Sequence, residues 1–325
     1  MKKLLLIYNP VSGDGRIVPA LSSIVDLMTK EEYLVTVYPT QKPLDAQEQI
    51  EEIAHDFDRI VVCGGDGMLH EAINGWLSSP KMKNKAPILG YIPTGTVNDF
   101  ASTHQISKDP IEATKIAGGG HWESVDIGQF NDQYFSYVAA FGIATAVSYQ
   151  TPQRLKQKLG PLAYVLEALN SVDFSHWENN CETMKISWQD HEIEGDFLYG
   201  MVSNSQYVAG QDFFKSSLFD WQDGLLEGLF IRRPMNIIDL NTIIGGLTRG
   251  DFSHPLFVLA QSPWFDFETH QSKWTLDGEY GGTQDHVKIQ VVPNAINIAM
   301  PPKQDKNAFK SSFTTTSFRV TFPVF

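Results

Sequence analysis

Arg59-Ile-Val-Val-Cys-Gly-Gly-Asp-Gly constrains the fold more than any other stretch of the chain. An apolar, β-branched run without alternation is a strand buried on both faces. It breaks into three glycines around one aspartate, and helical spacing follows from Met68 to Leu77. Glycines at a strand's carboxyl end let a ligand approach the backbone closely. The next helix points free N–H groups and the positive end of its dipole at the same place, which suits phosphate. Asp66 would repel that guest unless a divalent cation lay between them, as Mg²⁺ does between carboxylates and nucleotide phosphates. The plainer alternative is a tight turn in which Asp66 caps the helix.

The same alternation runs through the first part of the chain. Leu4 to Tyr8, Tyr33 to Tyr38, Arg59 to Cys63 and Ile88 to Ile92 read as strands, and Ile17 to Met28, Asp45 to His55 and Met68 to Leu77 as helices. That order predicts an α/β domain over 1–127, with a parallel sheet covered on both faces. After Gly118-Gly119-Gly120 the pattern becomes short strand candidates at 134–140, 183–188, 192–203, 225–232, 255–260, 263–269, 286–292 and 295–299, with one helical segment at Pro161 to Leu169. An antiparallel β-sandwich over 128–302 is the expectation. The tail, 303–325, ends in an apolar run that fits a last strand returning to the first domain.

Composition removes several function classes. Lys plus Arg number 25 against 38 Asp plus Glu, a net charge of −13, which argues against nucleic acid as a partner and against a polybasic membrane anchor. No apolar run approaches the roughly 18 residues of a membrane helix. Leu4 to Tyr8 is too short for a signal peptide despite Lys2-Lys3. Two cysteines, Cys63 and Cys181, cannot make a disulfide framework or a cysteine zinc site and read as reduced thiols in a cytoplasmic protein.

Two further loops repeat the glycine theme. Asn9-Pro10-Val11-Ser12-Gly13-Asp14-Gly15 follows the first strand, and Pro93-Thr94-Gly95-Thr96-Val97-Asn98-Asp99-Phe100 the fourth. In an open parallel sheet such loops share one rim, where Ser12, Thr94, Thr96 and Asn98 would add polar donors. Neither a Walker A loop nor a dinucleotide fingerprint is present.

Asn9-Pro10 with Ser12-Gly13, Gly64-Gly65-Asp66-Gly67 with Glu71, Asn74 and Gly75, Gly95-Thr96 with Asn98-Asp99-Phe100, and Leu276-Asp277-Gly278-Glu279 occur in this order. Together they resemble the diacylglycerol kinase catalytic domain family, in particular its soluble bacterial lipid kinases. The resemblance implies a nucleotide-binding domain, a lipid-binding sandwich, and ATP- and Mg²⁺-dependent phosphorylation of a lipid hydroxyl. It implies nucleotide contacts from Asn9, Pro10, Val11, Ser12, Gly13, Thr40, Gly64, Gly65, Asp66, Gly67, Met68, Leu69, His70 and Thr96. It implies a general base at Glu279, metal and water near the phosphates at Asp66, Asp99 and Asp126, and a structural Mg²⁺ at Asp220, Asp223 and Leu225, with Asp220 and Leu225 offering backbone carbonyls.

Phosphoryl transfer needs positioning and charge neutralisation, and a carboxylate at Glu279 fits proton removal. Asp277, two residues earlier, is expected on the same side of a strand, to tune that base or help hold metal; a solvated hairpin turn is the other reading of Asp277-Gly278-Glu279. Asp220 and Asp223 likewise read as a turn on their own. The family usually places Thr where this chain has Met68, so Met68→Thr is expected to raise ATP affinity.

A lipid acceptor calls for an apolar cleft, and Phe213, Phe214, Phe219, Trp221, Phe257, Trp264, Phe265 and Phe267 make the second domain aromatic-rich, although aromatics also fill cores. A soluble enzyme reaching such a lipid would touch the membrane transiently, and an exposed sandwich edge would support a homodimer. A soluble-substrate kinase resembling NAD kinases and a non-catalytic nucleotide-binding regulator remain as alternatives.

Overall fold

The computed structural model describes residues 1–15, 17–82, 87–143, 181–208, 211–212 and 220–302. The helical expectation at Pro161 to Leu169, the tail 303–325 and Phe213, Phe214 and Phe219 lie outside them. The first four strands are β1 (Lys2–Tyr8), β2 (Tyr33–Pro39), β3 (Arg59–Gly64) and β4 (Ile88–Pro93). They pair parallel in the order β4-β3-β1-β2. Successive side chains point to opposite faces of a strand. Leu5, Ile7, Ile60 and Val62 therefore enter one core, and Leu4, Leu6, Val61 and Cys63 the other. The first core is closed by α2 (Asp45–Ile53) and α3 (Asp66–Ser78), the second by α1 (Ile17–Lys30) and α5 (Pro110–Gly118), with the short α4 (Asp99–Thr103) following β4.

Beyond α5 the pairing turns largely antiparallel. The strands are β5 (Trp122–Phe130), β6 (Gln133–Phe135), β7 (Val138–Gly142), β8 (Glu182–Trp188), β9 (His191–Ser203), β10 (Tyr207–Val208), β11 (Gln211–Asp212), β12 (Leu226–Arg232), β13 (Phe257–Ser262), β14 (Trp264–Leu276) and β15 (Glu279–Ala299). β7 and β8 lie end to end between β9 and β14, each pairing with both. One face buries Phe141, Trp188, Phe197, Phe230, Phe265, Phe267 and Trp274 together. The opposite face, with Tyr137, Met201, Leu229 and Ile231, is covered by α6 (Ile237–Arg249).

Three differences from the sequence expectation have physical reasons. The two strands expected at 286–292 and 295–299 are one 21-residue strand, β15, with a register shift between Val292 and Ile296. The shift absorbs Pro293-Asn294, whose turn-like residues hid the continuity. β5 crosses the expected boundary at 127; its buried Val125 and Ile127 alternate with polar or small neighbours, the period of a strand. α6 was not foreseen, although Asn236 accepts from the Ile238 and Asp239 amides, and Gly250 closes the other end at φ 64°. Among the described residues thirteen strands form one hydrogen-bonded sheet, joined where β15 pairs antiparallel with β14 and β5 and parallel with β4 at Ile298↔Leu89.

Candidate active site

The carboxyl ends of β1, β3 and β4 meet at one rim. The Asn9 amide donates to the Cys63 carbonyl at 3.1 Å and the Thr94 amide to the Gly64 carbonyl at 2.8 Å. Thr94 Oγ1 donates to Ser12 Oγ at 3.3 Å. A Cβ on Gly13 would lie 1.9 Å from the Thr94 oxygen, and one on Gly95 2.5 Å from the Gly65 Cα, so the loops touch because glycines stand there. Thr40, at the end of β2, donates from its amide and its hydroxyl to the Tyr8 carbonyl. Pro10 and exposed Val11 lie in the first loop, where Asn9 Oδ1 accepts the Val11 amide. Asn98 is not poised to bind a ligand: its side chain clasps the Gly95 amide and carbonyl and accepts the Tyr91 hydroxyl. Thr96 is exposed above that clasp.

Asp66 is not a helix cap. Gly65 holds the cap position without a side-chain bond, and Asp66 is the first residue of α3. Its Oδ2 accepts the Asp99 amide at 3.2 Å, while Oδ1 is shut off from solvent with no hydrogen-bond partner. Burial, with Asp99 and Asp277 nearby, pushes the carboxyl up to about 7. Met68 packs into the core under Gly64, where a Cβ would meet its side chain at 2.4 Å, and Leu69 is wholly buried. Only the backbone of these two residues can face a nucleotide. His70 is turned from the loops as well: its Nδ1 lies 3.0 Å from Asp277 Oδ2.

Asp277 and Gly278 are the two turn residues between β14 and β15, with φ 52° and 85°. Asp277 therefore does not share a strand face with Glu279. Nor is the turn solvated at Asp277, whose side chain is 0% exposed. Its carboxylate accepts the Ser136, Tyr137 and Val138 amides and the Ser136 hydroxyl at 2.7–3.1 Å. With every near donor engaged in the fold, Asp277 organises the turn and is no free metal ligand. Glu279 is exposed, and its Oε1 would be 2.8 Å from a Cβ on Gly67, which places the carboxylate at the start of α3. Tyr137 gave no sequence signal, yet burial and the fields of Asp66, Asp99, Asp277 and Glu279 together raise its hydroxyl well above the usual range.

Residues 3–130 match the diacylglycerol kinase catalytic domain family. The chain is 31% identical over 286 residues to a diacylglycerol kinase of Staphylococcus epidermidis, covering 86% of this chain and 87% of the relative. It is 30% identical over 316 residues to that of Staphylococcus carnosus, covering 94% and 97%. The chain belongs to the diacylglycerol kinase family. A solved diacylglycerol kinase structure from Bacillus anthracis superposes with a TM-score of 0.77 at 25% identity, covering 93% of this chain and 97% of that one. Membership makes this a protein of a lipid kinase family. No helix among its described residues is long and apolar enough to cross a membrane.

Several residues of the diacylglycerol kinase motif turn out to hold the fold. Glu71 accepts the Leu44 and Ala46 amides and so caps α2 from α3. A Cβ on Gly75 would be 2.6 Å from the Gln47 carbonyl oxygen, where the two helices touch. Asn74 exchanges both amide hydrogen bonds with the Tyr134 backbone, docking α3 on β6. Asp126 was expected beside the phosphates. Its oxygens are both taken by backbone amides, of Asn294 at 2.8 Å and Gly224 at 2.9 Å, so it fastens the β15 register shift to the Asp220–Leu225 loop. In that loop Asp220 and Asp223 are exposed, each accepting the amide two residues on. Among the described residues no three Asp, Glu, His or Cys side chains gather to hold a metal. The carboxylate that would hold a Mg²⁺ here is Asp66, whose Oδ1 has no partner, since Mg²⁺ commonly takes only one or two carboxylates.

Proposed function

We propose that this chain transfers the γ-phosphate of ATP to the hydroxyl of a membrane lipid, with diacylglycerol as the acceptor and phosphatidic acid as the product. The observation that carries the reading is that two carboxylates stand at the first turn of α3. Asp66 opens α3 directly after Gly65 with one oxygen buried and unpartnered, and Glu279 reaches in beside Gly67 from the β14–β15 turn. Glu279 takes the proton of the lipid hydroxyl while that oxygen attacks the γ-phosphorus and ADP leaves. The bare glycine backbones of the three loops and the amides opening α3 receive the phosphates. Mg²⁺ would neutralise phosphate charge, held through Asp66 with Asp99 adjoining. A second, structural Mg²⁺ at Asp223 and the Asp220 and Leu225 carbonyls belongs to the same reading. Residues 1–127 then serve the nucleotide and 128–302 the lipid, with transient contact at the membrane surface. Met68 no longer favours a non-catalytic regulator, because its side chain lies in the core rather than at the loops.

The test is transfer from radiolabelled ATP in mixed micelles, with diacylglycerol, sphingosine and NAD as separate acceptors, with and without Mg²⁺. Label is expected in diacylglycerol only when Mg²⁺ is present. Glu279→Gln is expected to lower turnover by about 10²-fold or more while Mg·ATP still binds by calorimetry. Label in NAD alone, or undiminished turnover in the variant, overturns the reading.

A further inference from the structure

Asp277 ties the β14–β15 turn to the start of β7 through three backbone amides, and these contacts do not themselves reach the phosphate-facing helix. His70 adds a direct link from Asp277 to that helix. His70 stands four residues, about one helical turn, beyond Asp66 on α3. Its Nδ1 lies 3.0 Å from Asp277 Oδ2 and its Nε2 3.4 Å from Asn74 Nδ2. A carboxylate can only accept here, so Nδ1 carries the proton that it shares with Asp277. Asn74 is itself pinned, donating to the His70 and Tyr134 carbonyls at 2.9 Å each. The imidazole is thus held in one orientation, 9% exposed, between a rigid helix and a rigid turn.

We infer that His70 is the positioning residue for the proposed base: by donating from Nδ1 to Asp277 it fixes the turn, and with it Glu279, against the helix that carries Asp66. The inference rests on the reading of Glu279 as base. The turn is short, so a loosened Asp277 displaces Glu279 within two residues. A misplacement of about 1 Å can cost on the order of 10²-fold in rate.

The side-chain chemistry supplies a discriminating pair of variants. The amide nitrogen of Asn stands at the δ position, as Nδ1 of His does, whereas that of Gln stands one atom farther out. His70→Asn is expected to keep kcat within about threefold of wild type. His70→Gln is expected to lower kcat by roughly 10- to 100-fold, with KM for Mg·ATP within about twofold. Amide hydrogen exchange over 136–138 and 276–280 is read on the same proteins without turnover, and is expected to quicken in His70→Gln only. Unchanged exchange in both variants overturns the tether. Faster exchange in His70→Gln with full kcat overturns its role in placing the base, as does an equal loss of kcat in His70→Asn. Should wild type transfer no phosphate to lipid, the functional reading fails by itself and the exchange measurement still decides the tether.

Discussion

Replacing Asp277 by Asn changes one oxygen to an NH₂ group, and the structure fixes what that costs. One carboxylate oxygen accepts the Tyr137 and Val138 amides at 2.9 and 3.1 Å; the other accepts the Ser136 amide at 2.7 Å, the Ser136 hydroxyl at 3.0 Å, and His70. The asparagine oxygen can serve only one set. Directed at Tyr137 and Val138, it sets its NH₂ against the Ser136 amide; reversed, it sets the NH₂ against two amides. The better orientation spares the Ser136 hydroxyl, which can rotate to accept, and His70, which can change tautomer. One buried backbone N–H is then left without a partner, a loss of about 1–3 kcal/mol. The two surviving bonds lose their charge assistance, about 1 kcal/mol more. Asp277→Asn should therefore destabilise by about 2–4 kcal/mol, lowering the urea midpoint by roughly 1 M with an unchanged slope, followed by tryptophan fluorescence. Exposed Asp132 is the control, and Asp132→Asn should stay within about 0.5 kcal/mol. A loss under 1 kcal/mol for Asp277→Asn would refute the claim that these donors depend on the carboxylate.

Two further outcomes are expected. His104 packs on Phe100 and Trp221, and burial depresses its pKa to about 3. Because the native state resists a proton that the unfolded chain accepts, this site contributes stability fully above about pH 6.5 and loses it as pH falls toward 3, by up to 1.4 kcal/mol per pH unit. His104→Phe should remove that slope in acid titrations of unfolding, and an unaltered slope would discredit it. Met68→Thr should leave the Mg·ATP dissociation constant within about threefold by calorimetry and lower stability by roughly 1–3 kcal/mol. A tighter nucleotide complex would restore the sequence-based view that threonine raises affinity.

What the sequence disclosed and what it hid divide along a physical line. Arg59 to Gly64 and its neighbours announced themselves because strands buried on both faces need unbroken apolar runs, and Gly13, Gly65 and Gly95 because close backbone contact admits no side chain. β5 and the junction in β15 were hidden, since alternation mixes with polar residues and a register shift looks like a turn. Within the site, residue types were legible but their partners were not. Asp66, Asp126 and Asp277 are chemically alike, yet one has an unpartnered oxygen while the others are saturated by amides distant in sequence. Tyr137 and the His70 contact depend on pairings across 140 and 207 residues, which no local pattern encodes.

β15 starts at Glu279 and ends beside β4, contributing Ile296 and Ile298 to the core beneath the glycine loops. The proposed base and the strands behind those loops thus share one uninterrupted length of backbone. Splitting the gene near residue 127 would leave the amino-terminal fragment with an open sheet edge and a core missing its carboxyl-terminal side chains. Separately expressed halves should for that reason assemble only as a pair, and a circular permutant cut in an exposed loop would be the better route to rearranging this chain.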